Sequence, residues 1–179
     1  MPADTALLII DYQYGLIESN PPAAHAAQVT ANLNQAIGLA RAAGMPVIFI
    51  QHDGTPDSDL PPGSRDWEIH PALARRPEDI VIHKTVGDSF YRPELNDTLR
   101  RLGVDKLWIG GSATDFCVDT AIRTGLSHNY QLTVLSDAHT CRDRPTLKAE
   151  QVIAHFNFVW SNMDETPRPM RVLKVAELA

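Results

Sequence analysis

Short apolar runs rich in Val, Ile and Leu recur along the chain at 6–10, 47–51, 79–83, 106–110, 131–135 and 170–175. Runs of this kind fit parallel strands buried on both faces, whereas half-exposed strands alternate apolar and polar residues. Between the first two runs, Val29, Leu33, Ile37 and Ala40 mark one face of a helix, and Gly44 followed by Pro46 supplies its stop signal. Leu95, Leu99 and Leu102 carry the same spacing over 93–102, with Pro93 in the first turn and Gly103 closing it. Two further helices are predicted over 115–126 and 146–159, the second with Val152, Phe156 and Val159 on one side.

Strands alternating with helices predict one α/β domain spanning 1–179: an open, mostly parallel sheet, covered on both faces through right-handed crossovers. In such sheets ligands bind beyond the carboxyl ends of the strands, where the strand order reverses. The stretch 52–76 departs from the alternation. It holds Gly54, Pro56, Pro61, Pro62, Gly63 and Pro71, and a loop so long inside one domain is usually functional or disordered.

Composition narrows the function more than the fold. A chain of 179 residues, 44% hydrophobic and 21% charged, has enough material for a sizeable core, and no run reaches the ~18 apolar residues of a membrane span. The formal charge of -6 and pI near 5.6 argue against a nucleic-acid or anionic-membrane partner and for small-molecule chemistry. The opening residues run into an apolar strand without the pattern of a secretory leader, so a cytoplasmic location is expected, with Cys117 and Cys141 reduced.

Asp11 follows the first strand, Lys84 ends the third, and Cys117 lies just inside the helix after the fourth, so all three fall on the carboxyl edge. Each alone has an ordinary explanation: a cap, a solvated lysine, a small buried hydrophobe. Together they form a chemical unit. A cysteine nucleophile gains from a nearby cation and a helix start that lower its pKa, and from a carboxylate that accepts and returns the proton. The turn Gly110-Gly111-Ser112-Ala113-Thr114 is built of small residues, so its backbone N–H groups have room to approach an oxyanion.

The strand ending at Asp11, the segment Val81-Ile82-His83-Lys84, the run from Gly110 through Asp115, Phe116 and Cys117 to Val118, and Ser136-Asp137-Ala138-His139-Thr140 resemble the isochorismatase-like cysteine hydrolases. The likeness spans about residues 6–159. It implies a six-stranded sheet of order 3-2-1-4-5-6 and a catalytic Asp11-Lys84-Cys117 triad. It also implies a cis peptide at Ser112-Ala113 and an oxyanion hole made by the backbone N–H groups of Ala113 and Cys117. A homodimer or homotetramer is implied as well.

Cys117 favours the branch that hydrolyses amides over the branch that cleaves a vinyl ether. Nicotinamidases within the first branch carry an Asp-x-His metal site after the second strand, where this chain has His52 and Gly54, so no metal and no cofactor are expected. His52, Asp53 and His70 remain as a different possible metal set, although such residues in a polar loop are more often solvated or substrate-facing. If the family geometry holds, His52, Trp67, His70, Phe90 and Tyr91 lie near the substrate; packing of the loop onto the sheet explains Trp67 and Phe90 equally well. Cys141, beside Arg142, lacks a matched base and reads as structural, while His139 either supports the pocket or caps the turn after the fifth strand. The expected activity is hydrolysis of a C–N bond in a small amide or ureide through a covalent thioester, with water as the second substrate. A vinyl-ether hydrolase and a non-catalytic small-molecule binder on the same fold are the alternatives.

Overall fold

A computed structural model describes residues 4–163 and 168–178. Its centre is one parallel sheet of six strands: β1 Thr5–Ile10, β2 Val47–His52, β3 Ile80–Lys84, β4 Lys106–Ser112, β5 Gln131–Thr140 and β6 Arg171–Leu173. They stand in the order β3-β2-β1-β4-β5-β6, so the expected arrangement is present and the order reverses between β1 and β4.

The continuous apolar runs are explained by burial on both faces. In β1, Ala6, Leu8 and Ile10 belong to one core, and Leu7 and Ile9 belong to the other. The first core is covered by α3 Pro93–Arg101, α4 Asp119–Ser127 and α5 Ala149–Ser161, through Leu95, Leu99, Ala121, Ile122 and Trp160. The second is covered by α2 Ala26–Ala42, whose Val29, Leu33, Ile37 and Ala40 form the stripe expected from their spacing. Each such Leu or Ile, fully removed from water, contributes about 1.5–3 kcal/mol. Gly44 and Gly103 have left-handed φ of 69° and 70° just beyond α2 and α3, as helix-closing glycines do. A short α1, Tyr14–Ile17, was not evident from the pattern. Among the described helices none is long and apolar enough to cross a membrane.

Several boundaries differ from expectation, four of them for a visible reason. β3 begins one residue late because Asp79 is occupied elsewhere: its Oδ2 accepts from Arg41 and from the Arg76 N–H, both at 2.7 Å. The helix expected at 115–126 starts instead as a π-helical turn, Thr114–Val118, before α4. β5 runs on to Thr140 across an irregularity in which Ile109 opposes Val134 and Gly111 opposes His139. The intervening residues are polar enough to look like a turn, but side chains bind them within the fold. Asn32 donates to the Asp137 carbonyl at 2.6 Å and Asn157 to the Ser136 carbonyl at 3.0 Å. Asp137 Oδ1 accepts the Val175 N–H at 2.9 Å, where a 3-10 turn, Val175–Glu177, replaces the end of the predicted last strand.

His139 is therefore a buried residue within β5 and not a cap on a turn after it. Its Nδ1 is 2.9 Å from Thr114 Oγ1 in the π-helical turn, and its Nε2 is 3.0 Å from Asn157 Oδ1 on α5. Trp160 packs edge-on against the ring. Burial pulls its pKa down from 6.5 to about 4, so the ring is neutral in the folded protein.

Between β1 and β4 the backbones meet more closely than a side chain permits. Gly111 has φ of 127°, and a Cβ there would stand 2.1 Å from the Ile10 carbonyl oxygen. Gly111→Ala is expected to lose about 3 kcal/mol or more of stability, since both backbone strain and overlap with main chain oppose it; urea denaturation checks this. His139 adds a pH dependence. Its pKa is depressed on folding, so it contributes nothing at pH 7, and stability falls as the pH drops through 6.5, by about 3 kcal/mol near pH 4. The stability slope between these pH values is expected to be about one proton shallower in His139→Gln than in wild type.

Candidate active site

β1 ends at the reversal point, and the next residue is Asp11. Its φ of 43° is a left-handed value rare outside glycine, and its N–H is fixed to the Ile50 carbonyl at 3.0 Å. The carboxyl group is buried, with 1% exposure. Lys84, the last residue of β3, reaches across β2 to place Nζ 2.7 Å from Asp11 Oδ2. The same ammonium donates to the carbonyls of Val86 at 3.1 Å and Gly87 at 2.9 Å. Two of its three hydrogens thus go to carbonyls, and the third side of the ammonium faces the Asp11 carboxylate at ion-pair distance.

Cys117 comes to this pair from the other side of the reversal point. β4 ends at Ser112, the Ser112-Ala113 peptide is cis, and the π-helical turn carries Cys117 in its fourth position. The Phe116 and Val118 N–H groups close on the Ala113 carbonyl at 3.1 and 3.2 Å. Outside the turn, Arg144 clasps Asp115 through two nitrogens at 2.7 and 2.5 Å, and His139 holds Thr114. The nucleophile candidate thus sits on a segment tied at several points.

The electrostatics differ from the sequence expectation of an acidified thiol. Burial, reinforced by the Asp11 carboxylate, pushes Cys117 up to about 12, and Lys84 offsets only part of this. Asp11 is also raised, chiefly by burial, with Lys84 the main opposing influence. The resting site is a neutral thiol beside a buried carboxyl group paired with Lys84. Such a pair moves its proton when sulfur attacks, without holding a thiolate beforehand.

Asp11 and Cys117 line a cavity of about 270 Å³. Leu16 of α1 and Leu60 of the long loop form its apolar walls, and His52, Ser58 and Asp59 complete it. Of the residues expected near the substrate, only His52 is there. Trp67 packs the loop: its ring stacks on His83 and its Nε1 donates to Asp53 Oδ1 at 2.7 Å. Its carbonyl accepts from Gln13 and Gln51, each at 2.8 Å. His70 is buried beside Tyr12 and Tyr14, with Nε2 3.0 Å from Glu18. Phe90 belongs to the core against His128 and Tyr130, and Tyr91, 68% exposed, lies by a separate crevice. None of these four lines the cavity: Trp67, His70 and Phe90 pack against other residues, and Tyr91 is exposed.

Leu16, Ser58, Asp59 and Leu60 escaped the sequence reading. Leu60 had a signal: it is the one large apolar residue in the polar run 54–66, and it is buried. Gln13 left none, yet its side chain grips both the N–H and the carbonyl of His52 at 2.8 and 3.0 Å. The alternative metal set is not assembled. Asp53 serves Trp67 and His83, His70 serves Glu18, and no group of three or more His, Cys, Asp or Glu among the described residues is placed to hold an ion. Cys141 is buried, with Sγ 3.9 Å from the Ala149 carbonyl; burial raises its pKa, and Arg144, in place of the expected Arg142, gives a small opposing effect.

The family model of the isochorismatase domain matches residues 5–160. A streptothricin hydrolase of Streptomyces noursei is 33% identical over 143 residues, covering 78% of this chain and 56% of that protein, so the match spans little more than half its length. A ureidoacrylate amidohydrolase, RutB, of Pseudomonas syringae pv. syringae is 30% identical over 173 residues, covering 76% of this chain and 71% of the relative. The crystal structure of a cysteine hydrolase from Pseudomonas syringae pv. phaseolicola 1448A superposes with a TM-score of 0.87 at 26% identity, covering 97% of this chain and 90% of that one.

The charges around the thiol give an outcome of fixed sign. Asp11→Asn removes the carboxylate that opposes ionisation, so the Cys117 pKa is expected to fall; Lys84→Met removes the favourable charge and is expected to raise it. Alkylation at Cys117 followed against pH by peptide mass reads both, and a wild-type thiolate plateau below the ordinary value near 8.5 would contradict the assignment.

Proposed function

This chain belongs to the isochorismatase family, and we propose that it is the kind of member that hydrolyses the C–N bond of a small amide or ureide through a thioester on Cys117. The observation that carries the reading is the buried Asp11 carboxylate, paired with Lys84 and open to proton transfer, in one cavity with the Cys117 thiol. The hydrolase names of the relatives support it.

With an amide carbonyl in the cavity, sulfur attacks carbon as its proton passes to Asp11. Negative charge gathers on the carbonyl oxygen, which the backbone N–H groups of Ala113 and Cys117 receive. Asp11 then gives its proton to the departing nitrogen, the C–N bond breaks, and amine leaves a thioester behind. In the second half, Asp11 takes a proton from water, the resulting hydroxide attacks the thioester, and collapse returns the proton to sulfur and frees the acid. Amide and water become acid and amine, and the enzyme ends as it began. Lys84 is the residue that keeps Asp11 charged at the start of each half, since burial alone favours the neutral acid. No step calls for a cofactor.

One observation suits the alternative ether cleavage: an Asp raised by burial is also a proton donor. The two readings part at Cys117, which the ether reaction does not require. Cys117→Ala and Cys117→Ser are expected to lower amide turnover by at least about a thousandfold, with Asp11→Asn similarly impaired, because members of such a set act as a unit. Ammonia or amine release across a panel of amides and ureides measures this; undiminished release by Cys117→Ala would remove the thioester.

A further inference from the structure

The charge inside the cavity says what kind of amide fits. Asp11 is matched by Lys84 at 2.7 Å, so with His52 neutral the unmatched formal charge among the lining residues is that of Asp59, an exposed residue. No Lys or Arg lines the cavity among the described residues. Basic side chains of neighbouring segments are committed elsewhere. Arg65 lies over the Tyr14 ring, 4.3 Å from its centre, and donates to the Tyr14 hydroxyl at 2.9 Å, while Arg144 is held by Asp115. Arg75 faces a different crevice, with Trp67 and His83. A carboxylate entering the cavity would lose water and meet Asp59 with no cation to pair with, which is costly. An uncharged chain would lie against Leu16 and Leu60, and an ammonium would gain Asp59. His52 Nδ1, buried without a hydrogen-bond partner among the described residues, leaves one place for a polar atom of the occupant.

We propose that the cavity takes amides whose outer part is neutral or cationic, rejects carboxylate-bearing ones, and that Asp59 sets this charge preference. The inference rests on the hydrolase reading for the word amide, but the charge preference can be measured without it. Cys117 is labelled with three methanethiosulfonates, bearing a trimethylammonium, a methyl and a sulfonate, and each rate is divided by that of 2-mercaptoethanol. Mass mapping separates Cys117 from the buried Cys141. At low ionic strength the cationic reagent is expected to be favoured over the anionic one at least tenfold beyond the free thiol. The ratio should shrink in salt, drop in Asp59→Asn and reverse in Asp59→Lys. In parallel, kcat/KM is compared for three amides of equal length ending in ammonium, methyl and carboxylate. An anionic preference in wild type, or a ratio indifferent to Asp59→Lys, overturns the proposal. A charge order in labelling with no amide hydrolysed keeps the charge preference and removes the hydrolase reading; turnover of all three amides at equal rates, with no labelling order, does the reverse.

Discussion

A carboxylate removed from water is tolerable only beside a compensating charge, and Asp11 with Lys84 is where this constraint shapes the protein. The two residues are far apart in the chain and meet because β1, β2 and β3 are adjacent in the sheet, with both groups at its carboxyl edge. A strand order that set β1 and β3 far apart would leave one of them buried and alone. The pair is therefore as much a consequence of the topology as a requirement upon it. The long lysine stem crosses over β2, and the carbonyls of Val86 and Gly87 take up the remaining hydrogens of the ammonium. This leaves the carboxylate paired with one cation and in reach of the neighbouring thiol, with which it can share a proton.

The closeness of β1 and β4 is the second half of the same arrangement. Gly111 lets the two backbones touch at the reversal point, and the chain then passes within two residues into the turn that carries Cys117. Ties to His139, Asn157 and Arg144 come from β5, α5 and the loop between them, so the position of Cys117 is set from β5 and α5. Polar residues that interrupt the β5 pattern are the ones that fasten this region. Packing of the sheet and placement of the thiol draw here on the same side chains.

How much of this was legible follows from the range of each interaction. The strands and helices are governed by periodic burial, which is local, and the runs at 6–10 or the stripe from Val29 to Ala40 carried it plainly. Asp11, Lys84 and Cys117 were legible because strand ends in an open α/β sheet converge on one edge. The cavity wall was not. Trp67, His70, Phe90 and Tyr91 looked suitable by residue type, but what a loop aromatic touches depends on long-range partners: His83 and Asp53 for Trp67, Glu18 for His70. Gln13 shows the limit best, since an ordinary polar residue in the sequence turns out fully buried and pins the end of β2 that bears His52.

The thiol was misjudged for a related reason. Placing Cys117 near Lys84 and a helix start suggested a stabilised thiolate, yet proximity in a motif does not reveal depth, and burial with Asp11 alongside outweighs the lysine. A thiol held neutral has a physical merit in this setting. A free thiolate and a free carboxylate side by side in a dry cavity would repel, and Lys84 carries only one positive charge to divide between them. Keeping the proton on sulfur until an electrophile arrives leaves one anion and one cation at rest. In the reaction proposed above, the proton passes to Asp11 as sulfur attacks and the negative charge moves out to the substrate oxygen, so the site never holds two unmatched anions. The same economy of charge explains why the wall beyond the pair matters: with Lys84 used by Asp11, the other formally charged lining residue is Asp59, and no Lys or Arg among the described residues lines the cavity to answer it.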